Sequence, residues 1–573
     1  MTTAASTTSA EMRRLGVDLT KPVLLIFAAV LCVLIVMPLS WLVIYAFSDK
    51  SGAFTLDNFH RLASDADYLE PLLTTFALAT LSALICCVVA APMGWLVART
   101  DMPLRRTVRL LVTASFVTPP FLGAIAWELL AAPNSGLLNQ LFRELTGADS
   151  DQHLLNIYSF SGLVFVISCY TFPYVFVLVA NALDRTPGDL EDASAILGGK
   201  AWDTARRITI PLALPAVLAG ALVAFLQAMT LFGSPAILAM PAGFHTMTTK
   251  IWSLFQFPPK PELAAAASLP LLVLTVILLR AESKVLGRRG YSVVGGKNSE
   301  PRIVQLGGWR WVMLGAAMIV LMCPVFLPYF ALLNASFSKV ASNLVSFQNF
   351  TLQNVHFVFY ELSATQLALR NTFILGTLAA TAGTIIAMVI SYVTARQAVT
   401  GHRALGFLAT APVAIPGIVL GVGLFFTYTR PPFVLYGTLW ILLIAFVTLS
   451  LPAAYQQMQS AFHAVHPELE DASRILGATR LRSLWQITVP LLRTSIIATW
   501  CFIFVGVIRE LSAAIMLFTS ETKVLSVLIY DLNESGDLAA ISVLGLLMLV
   551  LTFGIVALAN SLRLGGRRPA TAP

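Results

Sequence analysis

Long apolar runs separated by short polar connections dominate the chain. Runs near the roughly 20 residues needed to cross a bilayer fall at 22–47, 73–98, 109–131, 158–182, 211–238 and 262–281. A second set follows at 310–332, 370–396, 404–428, 434–458, 489–515 and 537–562. The pattern predicts an all-α polytopic membrane protein of about twelve transmembrane helices, six in each half. Pro119 and Pro120 in the third run, and Pro412 and Pro416 in the ninth, predict breaks or kinks there. Between Glu282 and Gly308 the composition turns to Gly, Arg, Lys, Ser and Asn, which reads as a connector between two membrane domains. The predicted organisation is a tail over 1–21, a first membrane domain over 22–281, a linker over 282–309, a second membrane domain over 310–562 and a tail over 563–573.

Basic residues set the orientation. Arg13, Arg14 and Lys21 precede the first run, Arg99, Arg105, Arg106 and Arg109 follow the second, and Lys200, Arg206 and Arg207 follow the fourth. The first loop instead carries Asp57, Asp65, Asp67 and Glu70. By the positive-inside rule both termini and the linker are predicted in the cytoplasm. Run 22–47 is longer than a signal-peptide core and no small-residue cleavage site closes it, so it reads as a retained anchor.

Composition narrows the classes further. Of 573 residues, 57% are hydrophobic and 12% charged, against roughly 25% charged in soluble domains. The net charge of +8 sits in the short connections, where it fixes topology and does not suggest nucleic acid. The six cysteines lie in apolar stretches without CxxC spacing, and no HExxH motif occurs. Disulfide, zinc and iron–sulfur scaffolds are therefore not indicated, nor is enzyme chemistry.

The two halves repeat each other. Leu190-Glu191-Asp192-Ala193-Ser194-Ala195-Ile196-Leu197-Gly198 matches Leu469-Glu470-Asp471-Ala472-Ser473-Arg474-Ile475-Leu476-Gly477 at eight of nine positions, at an offset of 279. Each copy continues to a proline that opens the next apolar run, Pro211 or Pro490. A fainter echo, at an offset of 297, pairs Thr75-Phe76 and Ala98-Arg99 with Thr372-Phe373 and Ala395-Arg396. Equal helix parity makes the halves parallel repeats about an axis along the membrane normal. Each repeated connection predicts a short helix with acids in its first turn, a glycine that releases the backbone, and a second helical stretch over 200–209 or 479–488. Two such helices at equivalent positions suit a dimeric cytoplasmic partner.

These residues resemble the membrane permease subunits of binding-protein-dependent ABC importers, whose cytoplasmic EAA loop runs acidic-Ala-small, three residues, Gly. Here it reads Asp192-Ala193-Ser194 to Gly198 and Asp471-Ala472-Ser473 to Gly477, with Asp in place of Glu, and Thr494 where the first half has Pro215. The resemblance implies the type I (MetI-like) permease fold in the bacterial inner membrane. It also implies a homodimeric ABC ATPase below and a periplasmic solute-binding protein above, with membrane lipid around the chain. ATP and Mg2+ would be bound by the ATPase, and no cofactor by this chain. Gly198-Gly199-Lys200 lacks the remaining P-loop residues, so no ATP hydrolysis is expected here. Coupling would fall to Glu191, Asp192, Ala193, Gly198, Glu470, Asp471, Ala472 and Gly477, the acids positioning or pairing with the ATPase's basic groups.

The resemblance is nearest to the ferric-iron branch, with 2-aminoethylphosphonate, thiamine, sulfate and polyamine systems as alternatives within the family. A secondary transporter, which also has twelve spans in two halves, is the alternative outside it. One asymmetry bears on the pathway: Arg509-Glu510 aligns with Thr230-Leu231, so the charged pair occurs only in the second half. Intramembrane ionisable groups face protein or water in preference to lipid. Arg509, Glu510, Gln227 and Thr230 are therefore candidates to line or gate a pathway, with a local ion pair or a snorkelling pair as the plainer account of Arg509-Glu510. Glu128, near an outer end, reads as a snorkelling residue.

Overall fold

A computed structural model describes residues 20–149, 151–186, 188–287, 303–341, 343, 347–397 and 401–565. The tails expected at 1–21 and 563–573 fall largely outside the described residues, as does linker stretch 288–302. The fold is all-α. Five helices of the first half are long and apolar enough to cross a membrane: Leu25–Ala46, Ala66–Arg99, Phe160–Arg185, Ala205–Thr230 and Pro261–Lys284. The second half matches them with Trp309–Ser336, Ser363–Ala395, Leu439–His463, Arg480–Arg509 and Leu538–Ala559.

The third element of each half, in chain order, is bent. Arg105–Val117 meets Pro120–Ala131 at 98°, and His402–Ala414 meets Gly417–Tyr428 at 110°. Thr118 (ψ 129) and Ile415 (ψ 110) each precede a proline and take extended geometry, because the proline ring crowds the helical conformation of its predecessor.

Two runs expected as unbroken spans, 211–238 and 489–515, are corrected by the structure: the helices end at Thr230 and Arg509. The carbonyls just beyond these ends are claimed by later side chains, Thr248 Oγ1 donating to Leu231 O (2.9 Å) and Ser526 Oγ to Glu510 O (2.7 Å). The chain then forms shorter helices, including Met247–Ser253 and Leu525–Ser535. Their starts are anchored alike, Met247 N donating to Thr75 Oγ1 (2.7 Å) and Leu525 N to Thr372 Oγ1 (2.9 Å). Thr75 and Thr372 belong to the fainter echo in the sequence, and this shared anchoring gives that echo a physical reason.

Four of the five π-turns among the described residues follow one rule. They lie at Cys32–Val36, Ala205–Thr209, Met322–Phe326 and Leu484–Thr488, each ending two residues before Pro38, Pro211, Pro328 or Pro490. A proline within a helix lacks an N–H and crowds the carbonyl four residues back, and a wider turn relieves that crowding. The residue before each proline reaches back five positions, as Met37 N does to Cys32 O and Leu327 N to Met322 O. Val33 O and Cys323 O thereby lose their ordinary helical donors.

The opposite half supplies replacements. Tyr428 Oη donates to Val33 O (3.0 Å), and Trp127 Nε1 donates to Cys323 O (3.1 Å). Each half's first helix thus lies against the other half, reinforced by Tyr45 stacked on Phe426 at 4.0 Å. In a bilayer, where water cannot satisfy a freed carbonyl, these bonds tie the halves together. Glu128, expected to snorkel, instead accepts from Tyr158 Oη at 2.7 Å.

Candidate functional site

The repeated loops form matching helix–turn–helix projections at one end of the bundle. Asp189–Ile196 carries Asp189, Glu191 and Asp192 in its first turn, and Glu468–Ile475 carries Glu468, Glu470 and Asp471, where negative charge complements the helix dipole. Gly198 (φ +82) and Gly477 (φ +91) then adopt left-handed geometry. Gly199 N returns to Ser194 O (2.8 Å) and Ala478 N to Ser473 O (3.1 Å), closing each helix end. Side chains staple the two arms: Ser194 Oγ lies 2.8 Å from Thr204 Oγ1, and Ser483 Oγ donates to Ser473 Oγ at 3.0 Å.

On these short helices apolar side chains stand exposed while one acid of each is buried. Ile196 and Leu197 are 85% and 88% exposed, and Ile475 and Leu476 are 86% and 88% exposed. Ala193 and Ala472 are also exposed, as are Asp192 and Asp471. Glu191 and Glu470 are buried. Asp471 meets Arg474 at 3.8 Å on the surface.

The buried glutamates are wired to their own chain. Glu470 Oε1 accepts from Arg396 Nε (3.1 Å), Arg396 Nη2 (3.0 Å) and Thr488 Oγ1 (2.9 Å). Arg396 Nη2 also donates to Val465 O at 3.0 Å. In the first half Thr209 Oγ1 donates to Glu191 Oε1 (2.8 Å), Arg99 Nη1 lies 3.5 Å from Glu191 Oε2, and Arg99 Nη2 donates to Thr186 O (2.7 Å). The arginine closes the second-span helix and the threonine opens the fifth, so each cluster fixes its loop helix to two spans. Of the acids expected to face an ATPase, Glu191 and Glu470 therefore point inward, and Asp192 and Asp471 lie at the surface.

Sequence reasoning did not name Arg99, Arg396, Thr209 or Thr488 as site residues. The signal was present: both arginines lie in the fainter echo, and both threonines stand two residues before the repeated proline. It was passed over because a basic residue after an apolar run already had a topological explanation.

The first half has an extra element. Val304, in the linker, donates through its N to Arg99 O (2.7 Å), and Asp101 N donates to Val304 O (3.2 Å). Leu306 N donates to Asp101 Oδ1 at 2.8 Å. Beneath this strap lies a cavity of ≈ 880 Å³, mostly apolar, lined by Trp95, Leu183 and Ile210 with Arg99 and Glu191 among its polar groups.

The intramembrane candidates are dispersed. Arg509 ends its helix and donates through Nη2 to Thr118 O of the first half at 3.3 Å. Its guanidinium carbon lies 5.9 Å from the Phe116 ring centroid. Glu510 turns back into its own half, accepting from Ala513 N at 3.0 Å. Thr230 Oγ1 bonds to Leu226 O in its own helix (2.9 Å), and Gln227 is half-buried one turn away. No hydrogen bond or ion pair joins Gln227 or Thr230 to Arg509 or Glu510 among the described residues. Nor do those residues hold a group of three or more His, Cys, Asp or Glu side chains fit for a metal.

Known proteins are similar to this chain in sequence. A family profile described as "Binding-protein-dependent transport system inner membrane component" matches residues 90–285 and 379–563. A ferric transport system permease protein of Actinobacillus pleuropneumoniae is 25% identical over 448 residues, 77% of this chain and 63% of the relative. A putative ferric transport system permease protein of Haemophilus influenzae is 25% identical over 413 residues, 71% of this chain and 64% of the relative. The chain thus spans less than two thirds of the length of these ferric relatives. A molybdenum transport system permease protein of Mycobacterium tuberculosis is 28% identical over 208 residues, 36% of this chain and 76% of the relative. With the family's domain matched twice, once in each repeated half, the chain belongs to the inner-membrane components of binding-protein-dependent transport systems.

Proposed function

We propose that this chain forms the transmembrane pathway of an ATP-driven importer. Its two projecting loops dock on a cytoplasmic ATPase dimer, and a periplasmic binding protein delivers solute to the opposite face. The reading rests on the paired apolar tips, Ile196-Leu197 and Ile475-Leu476, exposed at equivalent positions. Burying one such side chain contributes about 1.5–3 kcal/mol, so a surface that leaves four exposed is built to be covered. Two copies related by the repeat match a partner with two-fold symmetry.

The wiring supports a mechanical role. When the ATPase dimer closes, the tips move with it. The Arg396–Glu470–Thr488 and Arg99–Glu191–Thr209 clusters pass that motion to the second and fifth spans of each half. The chain itself performs no hydrolysis in this reading. Ferric iron is the proposed solute, because the ferric relatives align across both halves and the molybdenum relative across about one.

Purification through this chain in mild detergent, with the mass of the complex measured, tests the proposal. Two ATP-binding subunits per chain are expected, and L197D with L476D should release them while the chain stays monodisperse. A chain that carries no ATPase, under conditions that preserve a known importer, overturns the reading in favour of secondary transport.

A further inference from the structure

Arg509 is the intramembrane charge whose surroundings ask for a ligand. It ends the fifth helix of the second half, yet its hydrogen bond and its ring contact both reach the first half: Nη2 to Thr118 O at 3.3 Å, and the Phe116 ring at 5.9 Å. Both contacts fall at the 98° bend of the third element. Tyr174 of the first half and Tyr329 and Glu510 of the second are its other electrostatic neighbours. Its Nε is shielded and donates to nothing. Among the described residues no carboxylate lies within 4.0 Å of the guanidinium. The adjacent Glu510 is committed elsewhere, its carboxylate held by Ala513 N at 3.0 Å and its carbonyl by Ser526 Oγ at 2.7 Å. A Cβ added to Gly417 would stand 3.1 Å from Glu510 Oε1, which places that carboxylate against its own half's bent element.

The surroundings are donors and rings. Tyr174 packs edge-on to Phe116 at 5.0 Å. The Tyr329 hydroxyl bonds Thr118 Oγ1, next to the carbonyl that Arg509 uses. Arg509, Phe116, Tyr174 and Tyr329 all keep part of their surface open, so the guanidinium is not sealed by packing. The pseudo-symmetric position is Thr230, whose hydroxyl is spent on its own helix. The seam between the halves therefore presents a guanidinium with an unpaired Nε beside phenols, its neighbouring carboxylate, Glu510, held beyond 4.0 Å by its own backbone contact. A shielded donor left without an acceptor is costly, and a passing anion would supply what the guanidinium Nε lacks through charge-assisted hydrogen bonds.

We propose that the solute passes this seam as an anion, either a free oxyanion or a metal carried inside an anionic complex, with Arg509 as its transient partner. The inference rests on the transport reading and sharpens it: iron would cross as a negatively charged chelate and not as a bare cation.

Ligand binding to the purified full-length chain, at fixed ionic strength and without ATPase, tests this separately from complex assembly. The probes are sulfate, phosphate, citrate and ferric citrate, with spermidine and thiamine as cations. Saturable binding of at least one anionic probe is expected, weakened at least tenfold in R509Q and partly restored in R509K. Preference for sulfate or phosphate identifies a free oxyanion, and preference for ferric citrate over citrate identifies the chelate. Absence of anion binding, anion binding unchanged in R509Q, or preferential binding of spermidine or thiamine overturns the proposal. Should R509Q not fold, the wild-type probe series and R509K still decide it. Failure to recruit an ATPase would bear on the transport reading and leave this result standing.

Discussion

The two loop ends of the molecule carry the same circuit under different tension. In the second half Arg396 gives two hydrogen bonds to Glu470, at 3.1 and 3.0 Å. In the first half the corresponding Arg99 approaches Glu191 at 3.5 Å, and its Nε and Nη1 make no hydrogen bond. The remaining wiring is conserved down to the backbone, since Thr186 and Val465, which accept the other guanidinium nitrogen, stand at the repeat offset of 279. What differs is the cover. The strap at Val304 lies over Arg99, whose side chain is 1% exposed against 12% for Arg396. A linker that exists once breaks the symmetry of a site that exists twice, so one copy is held by its ion pair and the other by its cover.

Removing an arginine tests that contrast most severely. R396L strands Glu470 in a buried site, and a broken buried pair costs on the order of 3–5 kcal/mol. Thermal unfolding of the purified chain should fall sharply for R396L and less for R99L, whose ion pair is looser. An equal or larger loss in R99L would refute the contrast. A smaller effect is expected from G477V, which forces a β-branched residue to φ +91 at a cost of about 1–2 kcal/mol or more. Its readout is loss of substrate-stimulated ATP hydrolysis in the assembled complex with membrane insertion intact, and unchanged hydrolysis would sink the coupling role of the turn. The mildest change is V304P, which deletes the N–H donated to Arg99 O and so about 1 kcal/mol. Faster hydrogen exchange at Asp101 and Leu306, with none around Arg396, would show that the strap serves one half alone.

Much of this architecture was legible in the residues. Apolar runs gave the long helices because nothing else of that length avoids water, and the prolines at 119, 120, 412 and 416 marked both bends. The glycine turns followed from Gly198 and Gly477, where only a residue without a Cβ takes positive φ cheaply. The ends of the fifth helices were not legible. An apolar sequence reads alike whether it spans lipid or folds back within protein, and the stop at Thr230 or Arg509 is imposed by Thr248 and Ser526 from the following segment.

The loop helices mark the same boundary more finely. Their sequence predicted short helices opened by acids and closed by a glycine, and a helical pattern states which residues share a face. It does not state which face turns inward. That was decided by Arg99 and Arg396, whose carboxylate partners lie 92 and 74 residues away in the chain. The sequence by itself determined the apolar elements, the duplication and the turns, because these depend on local sterics and on solubility in water or lipid. Only the tertiary structure decided that Glu191 and Glu470 are internal, that the leucine tips are bare and that Arg509 reaches the opposite half, because each depends on which distant partner fills a site that burial would otherwise make costly.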